Sequence, residues 1–226
     1  MRKKTFNKEV ILDLDYTLFD TARFKRALAR SLKPYGVNHD LFFNFYPQAV
    51  QKQDGKYKYS VNKHLSLLRQ RVADIPRVQA LSRIKKVVEQ SYLYLYPTSV
   101  RFLQHLKKNG FRLILVTHGD KSFQMKKIKH SGIQKYFTKT IVSDRLKAIT
   151  LKPLVKNYDE VFFISDHAGE LKQVKTELPQ LLPVMKLVDY SSRSQVRGFG
   201  IPAFRSLKKI ENYIINYYNR NKNRGG

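Results

Sequence analysis

The chain has 226 residues and 42% hydrophobic content, enough for one full α/β domain with an insertion. It contains no cysteine, which excludes disulfides, thiolate metal sites and cysteine nucleophiles and leaves Asp, Glu or His to hold any cation. Its formal net charge of +27 attracts phosphorylated metabolites, nucleic acid and acidic lipid surfaces alike, and selects none of them. That charge is spread: residues 21–96 carry 15 Lys/Arg and 4 Asp/Glu, and the rest of the excess lies outside them. Runs of apolar residues are too short for a transmembrane helix. The basic start Met1-Arg2-Lys3-Lys4 leads into an apolar run broken by Asp13 and Asp15, which argues against a cleaved signal peptide. A cytoplasmic location without membrane insertion is therefore expected.

In chain order, Val10-Ile11-Leu12 is an apolar run that reads as a buried strand. Its end, Asp13-Leu14-Asp15-Tyr16-Thr17, spaces two carboxylates at i, i+2. If the strand continued through Asp15, both would lie on one side. Ala22–Leu32, Val61–Val72 and Val78–Leu93 look like amphipathic helices, and residues 21–96 carry no strong strand signal. Between those helices, Gln51–Tyr59 interleaves Lys and Tyr around a turn signal at Asp54-Gly55. It reads as a solvated turn that could contact a phosphate or stack a ring.

From residue 97 onward, helix and strand alternate. Pro97-Thr98-Ser99 opens a helix with Val100, Phe102, Leu103 and Leu106 on its apolar face, closed by Asn109-Gly110. Strand 111–117 follows and ends in Thr117-His118-Gly119. Gly119 or Asp120 caps a helix over 121–131, with Phe123 and Ile128 inward and five Lys/His outward. A short strand near 139–143, a strand at 161–165 ending in Ser165-Asp166, and a strand over 182–188 complete the alternation. A last helix spans about 203–219, with Leu207, Ile210, Ile214 and Tyr217 at helical spacing, and 219–226 is a basic tail. Alternation of this kind predicts an α/β fold, a doubly wound, Rossmann-like parallel sheet. Such sheets hold ligands at the carboxyl ends of their strands, where Asp13, Asp15, Thr117 and Asp166 all fall.

The ordered set Asp13/Asp15/Thr17, Thr117, Lys152 followed by Pro153, and Asp166/Glu170 resembles the four motifs of the haloacid dehalogenase-like hydrolase superfamily. The resemblance implies a core of residues 1–20 and 97–226, with 21–96 as an inserted α-helical cap that sets substrate choice. It implies a phosphatase in which Asp13 is the nucleophile and Asp15 the acid and base. Thr17, Thr117, His118, Gly119 and Lys152 would bind the phosphoryl group. Mg2+ would sit on Asp13, the Asp15 carbonyl, Asp166 and Glu170. Lys147 and Lys156 are rivals for the lysine, and the Lys-Pro step favours Lys152. Tyr16 stands where the family often has Gly, His118 where it often has Asn, and Glu170 where it usually has Asp. The expected substrate is a small phosphomonoester. A nucleic-acid-directed phosphatase, or a non-catalytic anion- or nucleic-acid-binding protein on the same fold, is the alternative.

Overall fold

The structure, a computed structural model, describes residues 8–53, 56–156 and 160–222, with side chains left out at 51–53, 56, 57 and 222. Met1–Lys4, the turn Asp54-Gly55 and the end of the basic tail lie outside the described residues.

Six parallel strands form one sheet in the order β5-β4-β1-β6-β7-β8. They are β1 (Glu9–Leu12), β4 (Arg112–His118), β5 (Lys139–Ser143), β6 (Val161–Ser165), β7 (Leu181–Lys186) and β8 (Ala203–Phe204). β1 is central: Val10-Ile11-Leu12 are apolar, and the strand, Glu9 included, is buried along its whole length. Its register pairs Leu12 with Leu115 of β4 and with Ile164 of β6, so three strand ends are brought level beside Asp13.

Side-chain alternation builds two cores. Val10 and Leu12 point to one face, where they join Phe102, Leu103 and Leu106 of α5 (Ser99–Lys108) and Ile210 and Ile214 of α10 (Leu207–Lys222). Ile11 points to the other, with Leu151 and Val155 of α7 (Lys147–Val155) and Leu171 and Val174 of α8 (Ala168–Glu177). α6 (Lys121–Ser131) is capped by the Asp120 carboxylate, which accepts from the Phe123 N–H at 2.8 Å.

Several boundaries differ from expectation. β1 stops at Leu12, so strand periodicity does not carry Asp13 and Asp15 to one side. Val100 is exposed, because the buried stripe of α5 runs through Ser99, Phe102, Leu103 and Leu106. α10 runs past residue 219 to Lys222, anchored by Tyr218 rather than Tyr217.

Between β1 and α5 lies a helical layer made of α1 (Thr21–Leu32), α2 (His39–Ala49), α3 (Val61–Arg69) and α4 (Arg77–Glu89). It also contains a hairpin, β2 (Val50–Gln53) and β3 (Lys56–Tyr59), that the strand signal did not announce. The short four-residue strands carry Lys and Gln, so neither hydrophobicity nor alternation marks them. α2 was missed as well, because its dense aromatic run, Phe42, Phe43, Phe45 and Tyr46, has no helical gap pattern.

His64 ties the layer together. Its Nε2 lies 3.0 Å from the Phe42 carbonyl, which can only accept, so Nε2 carries the proton and Nδ1 accepts from the Tyr59 hydroxyl at 3.0 Å. Burial depresses its pKa to about 4, against the smaller opposing pull of the Phe42 carbonyl. Below pH 6.5 the unfolded chain therefore takes up a proton that the folded chain refuses until about pH 4. Stability should fall as pH drops through this window, by roughly 3 kcal/mol. Urea titrations of wild type and His64→Gln at pH 7 and pH 4.5 should show a smaller acid loss in the variant.

Candidate active site

Asp13 follows the last residue of β1 and is held there by its own N–H, which donates to the Ile164 carbonyl at 2.9 Å. Its side chain is buried, and Lys147 Nζ lies 2.5 Å from Oδ1. Lys147 opens α7, is itself buried, donates to the Val116 carbonyl at 3.1 Å and lies 3.7 Å from Glu170. Burial raises the Asp13 pKa, Lys147 opposes it, and Glu170 and Asp15 add to the rise, leaving it at about 6. The Lys147 pKa is raised: burial works against the charge, but Asp13 and Glu170 outweigh it. Both partners are thus ionised at neutral pH.

Lys152 is not part of this site. It lies five residues further along α7, roughly 140° around the helix, and is exposed. Lys147, one of the two rivals, occupies the expected place. The Lys-Pro step misled because Pro153 sits inside α7 rather than marking a strand-edge loop.

Asp166 follows β6 and is buried. Burial and the neighbouring Asp13 raise its pKa to about 7, even though the Tyr190 hydroxyl donates to its Oδ2 at 2.5 Å. Glu170, in the first turn of α8, behaves oppositely. Burial works against its charge, but Lys147 and His118 overcome it and hold the carboxyl at about 2. Its Oε1 lies 3.5 Å from His118 Nδ1.

Asp15 faces away from Lys147. Its Oδ1 receives Lys127 Nζ at 2.6 Å and the Thr21 hydroxyl, and its Oδ2 receives Gln124 Nε2 at 2.8 Å. Burial alone would raise its pKa; Lys127 and these hydrogen bonds lower it instead. Gln124 and Lys127 sit i, i+3 on α6, on the buried stripe with Ile128. Lys127 was expected on the outer face. It is 3% exposed and lies 4.7 Å from the centre of the Phe19 ring.

Thr117, the penultimate residue of β4, is buried and accepts from Gln124 Nε2 at 3.4 Å, so its own proton remains to be donated. Gly119 has φ 135°, and a Cβ there would meet the Gln124 side chain at 3.2 Å. His118 is fixed by Glu170 and by the Arg145 carbonyl beside Nε2. The buried Thr17 hydroxyl has no hydrogen-bond partner among the described residues. Tyr16 takes the left-handed conformation, φ 57°, which explains why glycine suits this position.

Asp13, Asp15, Thr17, Thr117, His118, Gly119, Asp166 and Glu170 are therefore drawn to one edge of the sheet. Sequence reading missed Lys127, Gln124, Thr21 and Tyr190. A divalent cation fits the donor chemistry. The Asp13 and Asp166 carboxylates offer oxygen ligands, and Asp13 raises the Asp166 pKa by a repulsion that a cation relieves. Among the described residues no three acidic or histidine side chains are already gathered at ligating distance.

A parallel sheet with a buried strand-end carboxylate, a buried lysine on it and a helical layer above describes a hydrolase of the α/β class. The chain belongs to the haloacid dehalogenase-like hydrolase family, whose profile matches residues 8–167. It is 25% identical over 146 residues to the glyceraldehyde 3-phosphate phosphatase of Methanopyrus kandleri. That match covers 62% of this chain and 63% of the relative. Among solved structures, the Bacillus subtilis protein YfnB bound to magnesium superposes with a TM-score of 0.64 at 16% identity, covering 92% of this chain and 98% of that one. A haloacid dehalogenase-like hydrolase from Xanthomonas campestris gives 0.63 at 12% identity, covering 93% and 91%. Among the described residues no helix is long and apolar enough to cross a membrane.

The two lysines of α7 separate cleanly by experiment. Lys147→Met should lower hydrolytic turnover by about 100-fold or more, the scale for losing a buried charge at a reacting centre. Lys152→Met should stay within about twofold, as exposed substitutions do. Steady-state rates of the two variants on one substrate decide between them.

Proposed function

We propose that the protein is a magnesium-dependent phosphatase that hydrolyses a small phosphomonoester through an aspartyl-phosphate on Asp13. The observation that carries this reading is the buried contact of Lys147 with Asp13, 2.5 Å long, at the end of the central strand. Among the described residues, Asp13 is the one carboxylate that combines burial, a fixed counter-charge and a position between the ends of β4 and β6. The phosphatase name of the Methanopyrus kandleri relative supports the reaction class. A small substrate is supported by the helical layer, which leaves a cavity of only about 280 Å3 beside Asp15.

Asp13 attacks phosphorus. A bond from its carboxylate oxygen to phosphorus forms, the ester P–O bond breaks, and the leaving alkoxide takes a proton from Asp15. Asp15 then accepts a proton from water, whose oxygen attacks the same phosphorus. The bond to Asp13 breaks, inorganic phosphate leaves and the carboxylate is restored. Asp15 is in its ionised form here, paired with Lys127. It is thus set for the second half, and donating to the leaving group requires it to exchange the Lys127 contact. The Thr117 hydroxyl and the backbone around His118 and Gly119 receive the phosphoryl oxygens, with Thr17 close by and Lys147 supplying positive charge.

Asp13, the Asp15 carbonyl and Asp166 would hold Mg2+. Glu170, engaged with Lys147 and His118, would act on it indirectly, and Tyr190 would release Asp166. The cation would neutralise charge on the phosphoryl oxygens.

The test is phosphate release from phosphorylated sugars, nucleotides and an aryl phosphate, with magnesium or with EDTA. Release should vanish with EDTA and fall by about 1,000-fold or more in Asp13→Asn, the scale for losing a nucleophile. Near-normal release in that variant would sink the mechanism. Asp15→Asn should slow turnover yet still yield phosphorylated Asp13, trapped by acid quench and mass spectrometry. Absence of phosphoenzyme there would assign Asp15 another role.

A further inference from the structure

The cavity between the helical layer and the sheet has a polar floor and an apolar roof. The floor is Asp15, Thr21, His118, Gly119 and Gln124, all belonging to the site described above. The roof is Phe24 and Leu28 of α1, Tyr46 of α2, Val50 and Tyr59 of the hairpin, and Phe123 of α6. Tyr46 and Tyr59 stack with ring centres 4.8 Å apart and planes 17° apart, and Phe123 meets Tyr59 edge-on at 5.6 Å.

The leaving oxygen emerges at Asp15, so the rest of the leaving group must occupy this roofed space. A sugar there would turn hydroxyls toward Phe24, Leu28, Val50 and Phe123, which cannot satisfy them. The Tyr59 hydroxyl is already committed to His64 Nδ1. A flat ring meets aromatic faces and edges at favourable geometry instead.

One charged group in the cavity is unmatched. Lys127 is paired with Asp15, and Asp120 at the rim is engaged by the Phe123 N–H. Lys25 has no carboxylate within ion-pair distance among the described residues. It rests on the Tyr46 ring, 4.3 Å from the centre, and on Tyr16 at 5.7 Å. It is only half-buried, but burial is enough to lower its pKa. An ammonium held over rings at the mouth of an apolar chamber is completed by an anion on the ligand.

We propose that the leaving group is a flat, largely apolar ring bearing a carboxylate that pairs with Lys25, an inference that rests on the phosphatase reading above. The test compares four esters of primary alcohols, so that leaving-group reactivity is nearly constant: benzyl phosphate, 3-carboxybenzyl phosphate, glyceraldehyde 3-phosphate and glucose 6-phosphate. Benzyl phosphate should exceed both sugar phosphates in kcat/KM by about tenfold, and the carboxylate should add about tenfold more, the scale of one well-placed charged contact. In Lys25→Met the ratio of carboxybenzyl to benzyl ester should fall to about one, and Lys25→Arg should keep it. A sugar phosphate ranked first, or a ratio unchanged in Lys25→Met, overturns the inference while leaving the phosphatase reading intact. No metal-dependent release of phosphate from any of the four by folded wild type overturns both.

Discussion

Everything at this site depends on a carboxylate buried at the end of the central strand. Taking Asp13 out of water costs several kcal/mol unless a counter-charge meets it at close range. Lys147 meets it, and Lys147 is itself buried, so each charge requires the other. Both are fixed by backbone: Asp13 through the Ile164 carbonyl, Lys147 through the Val116 carbonyl. The pair thereby ties β1, β4, β6 and α7 at one point. The sheet is in effect a device for delivering one acid and one base to the same few ångströms.

The second carboxylate solves the same problem with different neighbours. Asp15 is met by Lys127 and by neutral donors from Thr21 and Gln124. Thr21 begins the helical layer and Lys127 belongs to the core, so Asp15 sits on the seam between them. Movement of the layer would change the donors around Asp15 without disturbing Asp13. That separation suits two acids with different tasks, one fixed and one able to change partners.

The order of strands and helices was readable because short apolar runs, such as Val10-Ile11-Leu12 and Val161–Ile164, alternated with amphipathic segments. Asp13, Thr117 and Asp166 were readable because each lies at or just past the end of a strand, and Glu170 only through the motif resemblance. The lysine was not. In a chain with 44 Lys/Arg, adjacency to proline carries little weight beside helix phase. The phase was available: Ala148, Leu151 and Val155 mark the inward face of α7, and Lys147 lies on it. The same reasoning, starting from Ile128, places Gln124 and Lys127 inward on α6. Tyr190 was beyond reach, since it contacts Asp166 across 24 positions of sequence from an irregular segment. The hairpin stayed hidden because its pairing, not its composition, makes it a strand pair.

Tyr16 is also an architectural element. Its left-handed backbone is disfavoured for a residue with a Cβ by about 1–2 kcal/mol, yet its ring is well used. It meets Tyr190 edge-on at 5.3 Å, and it borders both the roofed cavity and a wider cleft of about 710 Å3 flanked by Arg26, Lys186 and Arg205. The two rings form a partition. The two halves of the partition are not equivalent: Tyr190 also donates to Asp166, so moving its ring disturbs a carboxylate, whereas the Tyr16 ring borders both hollows.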